Sequence, residues 1–450
     1  MASRSTPATA PSAPNYTVPF IIVTGLFLIF GFLTNLNSNL SPKLEDIFHL
    51  DHAWSNLVTS AWFFAYLVFS VPAAKVIEHV GYKRTMVISL FVMVVGALLF
   101  VPAAHMISFP FFLTASFVLA TGVCGLQTSA NPYVSILGPE SSAPARLTLA
   151  QAFNSLGTAM APIVVGVFIL TDPSKVMDQA AVAHTVQGPY IAIACALLAL
   201  GFIIMGMHLP AITGTRDFRP AADPDNVEGS ARPFAGRSIW SHRHTVLAMI
   251  GIFLYVGLEI ALAANAIKFF ESPGNASAID GYLQWAQPFS HAVSRFYPQG
   301  IGEKEVVAVL AFCYPLAMMI GRFAGTVLMK TIQAHKMLAV LGVLGVALMI
   351  VGMFSTGHVA IWSLILCGFA NSIMYPTIFA LGIAELGPLT SKGSGVITIG
   401  NVGGAVIPPL FGLVADKAGY QHAFLLVIAC YLFMIFYGVS GYKPERGVAA

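Results

Sequence analysis

Four carboxamide side chains stand out in this chain because they interrupt stretches that are otherwise apolar enough for a membrane interior. Gln127 and Asn131 lie four residues apart, and Gln151 and Asn154 lie three apart, so each pair shares one face of an α-helix. A polar group without a partner in hydrocarbon is costly, so each amide needs a protein group, a water molecule or a ligand. We therefore expect two neighbouring helices, joined by a short loop around residues 138–146, to direct these amides into one cavity.

Other polar side chains interrupt apolar runs elsewhere in the chain. They are Asn35 near the end of the first run, and Asn265, Asn371, Tyr375 and Asn401 in the second half. We predict that these residues join the four amides in binding a substrate. The alternative for each is a structural hydrogen bond between helices, worth about 0.6 kcal/mol in a membrane protein, and the sequence leaves both interpretations open.

Glu259 is the only acidic residue that falls deep within an apolar run. A charged side chain at the centre of a bilayer costs roughly 2.5 to 3.5 kcal/mol on insertion scales, so it is seldom kept without a use. The carboxylate could carry a proton, bind sodium together with neutral oxygens, or bind a substrate hydroxyl directly. Tyr255 lies one helical turn earlier and could hydrogen-bond it. A purely structural role is the remaining alternative.

The chemistry of these side chains favours a neutral sugar as substrate. A hydroxyl group both donates and accepts hydrogen bonds, and a carboxamide does the same across a vicinal diol. An anionic substrate would call for buried Arg or Lys, and we interpret Arg322, the nearest exception, as part of a cytoplasmic turn. The sequence has no Ser, His and Asp set, no metal-ligand cluster and no phosphate loop. We expect no enzyme activity, cofactor, metal site or nucleic-acid partner.

The elements that must position these residues are membrane-spanning helices. Hydrophobic residues make up 57% of the 450 residues and charged residues only 9%, which excludes an ordinary soluble domain. Apolar runs of about 20 residues, the length that spans a bilayer, recur twelve times. With both termini cytoplasmic, 16 of the 22 Lys and Arg residues fall on the cytoplasmic side. The sequence predicts an all-α, multi-pass protein of the cell inner (plasma) membrane.

An internal repeat divides the chain into two halves. NPYVSILG at residues 131–138 reappears as YPTIFALG at 375–382, an offset of 244, and the Asn, Gly and Pro within 154–162 recur within 401–409, an offset of 247. The predicted organisation is a cytoplasmic tail (1–17), a six-helix half (18–209), a cytoplasmic linker (210–242), a second six-helix half (243–441) and a cytoplasmic tail (442–450). The second half carries an extra external segment at about 271–303, where Asn275 begins an N-x-S sequon.

Several segments resemble the major facilitator superfamily, and within it the fucose:proton symporter family and its bacterial glucose/galactose transporter branch. The segments that carry the resemblance are residues 31–44 (GFLTNLNSNLSPKL), 126–140 (LQTSANPYVSILGPE), 146–157 (RLTLAQAFNSLG), 255–260 (YVGLEI), 321–326 (GRFAGT) and 375–387 (YPTIFALGIAELG). The resemblance runs through all twelve spans. It implies the major facilitator fold, in which two pseudo-symmetric halves rock about a central site formed mainly by spans 1, 4, 5, 7, 10 and 11.

Two departures from the fucose symporters bear on ion coupling. At the positions of Ser38 and Gln127 those symporters resemble this chain but carry carboxylates, whereas a hydroxyl and an amide do not titrate in the physiological range. Their proton relay therefore cannot be transferred to this chain. Gln127 and Glu259 both match the glucose/galactose branch. We assign Glu259 and Ser38 as the coupling-ion positions.

Together these observations predict a secondary active transporter that imports a neutral hexose of the glucose or galactose type, coupled to sodium or protons, by alternating access. We expect it to act in the bilayer as a monomer. A facilitative uniporter that has lost coupling is one alternative, because two carboxylates are missing. The others are a transporter of another neutral sugar, such as fucose or N-acetylglucosamine, and a sensor that binds sugar without moving it.

Overall fold

A computed structural model describes residues 16–48, 52–106, 108–168, 179–207, 209, 238–289 and 302–444. Regular structure in these residues is helical. The helices are α1 Thr17–Phe48, α2 His52–Met106, α3 Phe109–Ile136, α4 Ala143–Phe168, α5 Gln179–Gly206, α6 Arg243–Phe270, α7 Ala276–Ala286, α8 Glu303–Leu328, α9 Ala334–Phe354, α10 Gly357–Asn371, α11 Met374–Gly382, α12 Thr390–Ile399, α13 Gly403–Ala418 and α14 Tyr420–Phe436.

Nine helical segments among the described residues are long and apolar enough to cross a membrane. One of them, Ser60–Met106, contains two crossings, because the backbone of Gly81 leaves the helical conformation at φ 83° and turns the chain back. Only glycine reaches this region without a steric cost. In the second half, α10 with α11 forms one segment and α12 with α13 forms another. The predicted all-α membrane fold is confirmed.

Glycines set the same close helix crossing in each half. A Cβ atom at Gly31 of α1 would collide with the backbone oxygen of Asn154 in α4, and a Cβ at Gly403 of α13 would collide with the backbone oxygen of Phe253 in α6. Small residues let helix backbones approach closely, which is how helices associate where the surrounding lipid is as apolar as they are. The internal repeat of the sequence therefore reappears as a repeated helix contact.

The two halves, residues 16–207 and 238–444, are joined by hydrogen bonds at one end of the bundle. This end carries the turn at Gly81, the loops between α3 and α4 and between α11 and α12, and the start of α6, and we call it the linker end. Here Glu140 accepts a hydrogen bond from the Glu385 amide at 3.0 Å, and Lys392 lies 3.8 Å from the carboxylate of Glu78. The predicted domain boundaries stay predictions, and residues 210–237 lie outside the described residues.

Asn275, which begins the N-x-S sequon, lies at the opposite end of the bundle and is 2% exposed. Its Nδ2 donates to the backbone oxygen of Phe269 at 2.9 Å, and its Oδ1 accepts from the amide of Gly357 at 2.8 Å. The side chain thus ties the turn after α6 to the start of α10. A glycan has no access to this amide in the folded chain, so the sequon marks a structural residue.

Candidate functional site

Gln127 and Asn131 occupy one buried face of α3 near the middle of the bundle. Gln127 is 8% exposed and Asn131 is fully buried. Within the described residues, Oε1 of Gln127 and Oδ1 of Asn131 have no hydrogen-bond partner. A small recess lined by apolar side chains of α1 and α3 adjoins Gln127. Two buried acceptors without donors are costly, and a hydroxyl group or a water molecule would satisfy each of them.

Asn131 and Tyr375 hold the two halves together at the centre. Nδ2 of Asn131 donates to the Tyr375 hydroxyl at 3.3 Å. Their separation of 244 residues equals the offset of the internal repeat, so the two residues are equivalent positions of the two halves. Equivalent positions that touch must lie next to the pseudo-twofold axis. This places the predicted residues Asn131 and Tyr375 together on the axis that relates the halves.

Asn35 and Asn154 connect α1 to α4. Nδ2 of Asn35 donates to the backbone oxygen of Thr158 at 3.0 Å, and Nδ2 of Asn154 donates to the backbone oxygen of Phe27 at 3.1 Å. Both side chains are half-buried. Their amide nitrogens therefore make the structural helix-to-helix bonds that the sequence left open as an alternative.

Gln151 is 4% exposed, and its backbone oxygen takes part in a contact between the halves. It lies one turn before Asn154 on the face of α4 directed at the second half.

Asn371 is the most fully bonded of the predicted residues. Its Nδ2 donates to the Tyr314 hydroxyl at 2.8 Å, its Oδ1 accepts from the Tyr431 hydroxyl at 2.8 Å, and its backbone oxygen accepts from the Tyr255 hydroxyl at 3.1 Å. The residue is completely buried. These bonds join α6, α8, α10 and α14 within the second half. Asn371 is thus a structural hub of that half.

The other two amides of the second half bond locally. Nδ2 of Asn265 donates to the backbone oxygen of Ala261 in its own helix at 2.9 Å, and the side chain is half-buried. Nδ2 of Asn401 donates to the backbone oxygen of Thr398 at 2.9 Å. The Asn401 side chain also interacts with the Tyr375 hydroxyl. Asn401 therefore belongs to the cluster around Tyr375, whereas Asn265 lies further along α6, toward its end at Phe270.

Glu259 lies in the middle of α6 and is half-buried. Its carboxylate interacts with the Tyr255 hydroxyl and, electrostatically, with the Arg322 guanidinium. The ring of Tyr255 also lies beside that of Tyr375, with centroids 6.2 Å apart. Glu259 and the axial cluster are therefore connected through Tyr255. The side chain of Ser38, the second predicted coupling position, lies outside the described residues.

Arg322 corrects one expectation from the sequence. We interpreted it as part of a cytoplasmic turn, but α8 continues six residues further, to Leu328, and Arg322 is 5% exposed. Its Nε donates to the backbone oxygen of Ser372 at 3.1 Å, and its Nη1 donates to the backbone oxygen of Gln151 at 3.0 Å and to Oγ of Ser155 at 2.5 Å. Burial is possible because these three oxygen acceptors bind the guanidinium, and the carboxylate of Glu259 attracts it electrostatically.

Because Arg322 is buried beside the centre, an absence of deep basic residues does not count against an anionic substrate. The donors of Arg322 that are described above are already engaged by protein oxygens, so the centre still offers a substrate mainly neutral amides, hydroxyls and aromatic rings. The apolar residues that follow Arg322 to the end of α8 were the sequence signal that it lies within the span.

Two repeated helical halves that meet around a polar centre, in a chain of membrane-length helices, form the architecture of a transporter that alternates access to one central site. The comparison with known families agrees with this class, because the profile described as Major Facilitator Superfamily matches residues 22–401. The chain belongs to the Major Facilitator Superfamily.

Two relatives and one solved structure are similar along almost the whole chain. A protein named glucose/galactose transporter from Brucella abortus biovar 1 (strain 9-941) is 38% identical over 432 residues, covering 96% of each chain. The L-fucose-proton symporter of Escherichia coli (strain K12) is 32% identical over 432 residues, covering 92% of this chain and 91% of the relative. A crystal structure of the transporter FucP in the outward conformation superposes with a TM-score of 0.76 at 30% identity, covering 94% of this chain and 98% of the other.

Proposed function

We propose that this protein imports a neutral hexose of the glucose or galactose type by cation-coupled symport, with access alternating between the two sides of the membrane. The similarity to a glucose/galactose transporter along nearly the whole chain supports the substrate class. The similarity to an L-fucose-proton symporter supports symport and, for the cation, favours the proton. In alternating access, the two repeated halves rock about the central site, which opens to one side of the membrane at a time.

The observation that carries the sugar assignment is the pair of unpartnered oxygens on α3. Oε1 of Gln127 and Oδ1 of Asn131 are acceptors, and a sugar supplies several hydroxyl donors in one rigid ring. The other proposed ligands are Asn35, Gln151, Asn154, Asn265, Asn371, Tyr375 and Asn401. Among them, Asn371 has its own side-chain bonds satisfied within the protein, so we propose that it shapes the site through its neighbours.

We assign cation coupling to two positions. Glu259 supplies a carboxylate, and Ser38 supplies a neutral hydroxyl oxygen. Glu259 is the carboxylate at the centre of α6 and connects through Tyr255 to the axial cluster. Its charge can be balanced by a proton, by sodium, or by Arg322. An exchange of these partners during the cycle would make sugar movement depend on the cation.

We place the protein in the inner membrane as a monomer, with both termini and the linker end in the cytoplasm. The bias of Lys and Arg supports this orientation. With the linker end cytoplasmic, the hydrogen bonds between the halves close the cytoplasmic side, as expected for a chain that superposes on FucP in the outward conformation.

The experiment is uptake of labelled glucose and galactose into proteoliposomes under an inward proton gradient, an inward sodium gradient, or neither. Accumulation above equilibrium under one gradient, reduced to equilibration by Glu259→Gln, would establish symport and name the cation. The matched control is Glu271→Gln, which removes an exposed carboxylate at the end of the same helix. No uptake of either sugar would refute the substrate assignment, and labelled fucose and N-acetylglucosamine test the alternatives.

A facilitative uniporter is the second candidate. It is favoured by the absence of carboxylates at Ser38 and Gln127. Equilibration at the same rate under all three conditions, with Glu259→Gln unchanged in extent, would replace symport by this function.

A further inference from the structure

Arg322 makes a contact between the halves and also interacts electrostatically with Glu259. The guanidinium belongs to α8 of the second half, yet its Nη1 donates to Oγ of Ser155 and to the backbone oxygen of Gln151 in α4 of the first half. It is 5% exposed. An arginine in the bilayer interior is costly, so bonds that it makes across the interface hold the halves in this closed arrangement.

The same guanidinium is connected to Glu259 through two consecutive carbonyl groups. Nε of Arg322 donates to the backbone oxygen of Ser372, and the preceding carbonyl, of Asn371, accepts from the Tyr255 hydroxyl. Tyr255 in turn interacts with Glu259, one helical turn further along α6. A displacement of the Glu259 carboxylate therefore affects the position of the guanidinium in two ways. One is direct electrostatic attraction, and the other is this short path of bonded groups.

The charges of Arg322 and Glu259 determine how cation binding changes the stability of the closed state. An arginine stays protonated, and in the closed state its charge is stabilised electrostatically by the carboxylate of Glu259. A cation bound at Glu259 neutralises that carboxylate, so the buried guanidinium keeps its hydrogen bonds but loses this electrostatic stabilisation. The closed linker end then becomes less stable, and opening exposes the guanidinium to water.

We propose that Arg322 is the positioning residue that couples the occupancy of Glu259 to closure of the linker end. This inference rests on the proposed cation coupling at Glu259. Arg322 does not bind the sugar. It holds the two halves together while Glu259 is free of cation, and it releases them when a cation is bound.

Spin labels can measure the closure directly, without transport. Cysteines replace His79 in the first half and Thr331 in the second, both exposed at the linker end, in a full-length background that lacks the native cysteines. Distance distributions by pulsed electron paramagnetic resonance are recorded without a coupling cation for wild type, Arg322→Gln and Arg322→Lys. The matched control is Arg146→Gln. Among the described residues, Arg146 bonds within its own half, to the backbone oxygens of Val134, Ser135 and Pro139 and to Ser142.

The expected result is a short distance in wild type and in Arg146→Gln, a population shift to longer distances in Arg322→Gln, and partial recovery in Arg322→Lys. In the transport assay, Arg322→Gln should equilibrate sugar at least as fast as wild type but lose accumulation. An unchanged distance distribution in Arg322→Gln overturns the proposal. So does retained accumulation, or loss of sugar binding in both Arg322 variants. A wild type that never accumulates sugar would instead refute the symport function. In that case the distance measurement still tests whether Arg322 holds the linker end closed.

Discussion

Gln127 and Asn371 are both buried carboxamides, yet the structure predicts opposite results when each is replaced by leucine. The side chain of Asn371 is bonded at both ends, to the Tyr314 and Tyr431 hydroxyls at 2.8 Å. Oε1 of Gln127 has no partner within the described residues. A buried acceptor without a donor destabilises the sugar-free protein, whereas the bonds of Asn371 stabilise it. The two variants therefore separate a binding amide from a structural one.

The size of each effect follows from the bonds that change. Asn371→Leu removes two hydrogen bonds of about 0.6 kcal/mol each in a membrane protein. It also leaves the Tyr314 and Tyr431 hydroxyls buried without that partner, at about 1 to 3 kcal/mol each when nothing replaces it. We expect a loss of about 3 to 7 kcal/mol in the free energy of unfolding. Gln127→Leu removes the unpartnered oxygen, so stability should be unchanged or higher by about 1 kcal/mol.

Sugar affinity should fall in Gln127→Leu and not in Asn371→Leu, the reverse of the effects on stability. Gln127→Leu removes the proposed hydrogen bond to the substrate, worth about 0.5 to 1.5 kcal/mol, and should weaken binding by roughly 2-fold to 13-fold. Asn371→Leu should bind sugar normally at temperatures where it remains folded. Thermal unfolding of the purified variants in detergent, with and without sugar, and calorimetric titration with glucose measure both quantities. The reasoning is refuted if Gln127→Leu unfolds at as low a temperature as Asn371→Leu, or if it binds sugar as tightly as wild type.

Three shorter predictions test the remaining framework. Tyr375→Phe removes the hydroxyl that Asn131 contacts across the halves, and transport assays should show a lower maximal rate with folded protein retained; an unchanged rate would contradict a role for this pair on the axis. Gly31→Ala places a Cβ against the backbone of α4 and should abolish folded protein on size-exclusion chromatography, whereas Gly25→Ala, which meets no atom within 4 Å, should behave as wild type. Asn275→Ala should lower the unfolding temperature, and mass spectrometry should detect no glycan on wild-type protein made in a glycosylating host.

The fold was predictable because membrane helices follow from composition and length. The sequence also predicted the two halves, since segments such as NPYVSILG and YPTIFALG recur at one offset. The close crossings at Gly31 and Gly403 were not predictable in detail, because a glycine in a span is equally compatible with packing against lipid or against a neighbouring backbone.

The site was predictable in residue types but not in roles. Spacing grouped Gln127 with Asn131 and Gln151 with Asn154, but it could not tell which oxygens find a donor on another helix. Asn371 illustrates the limit, because its partners, Tyr314 and Tyr431, lie 57 and 60 residues away in the chain. Arg322 illustrates it again, because two of its three acceptors are backbone oxygens, which any residue type supplies.

The contact between Asn131 and Tyr375 explains why the repeat itself carries functional information. Two equivalent positions of a duplicated chain can touch only next to the axis that relates the copies, and the axis passes through the central site of a transporter built in this way. The two residues have diverged, one into an amide and the other into a phenol, so the bond between them is asymmetric although its position is symmetric. A rocking motion about the central site changes distances least for groups at that site and most at the ends of the bundle. We therefore expect the axial pair to stay in contact with a substrate throughout the cycle, while contacts nearer the linker end, such as those of Arg322 with α4, form and break.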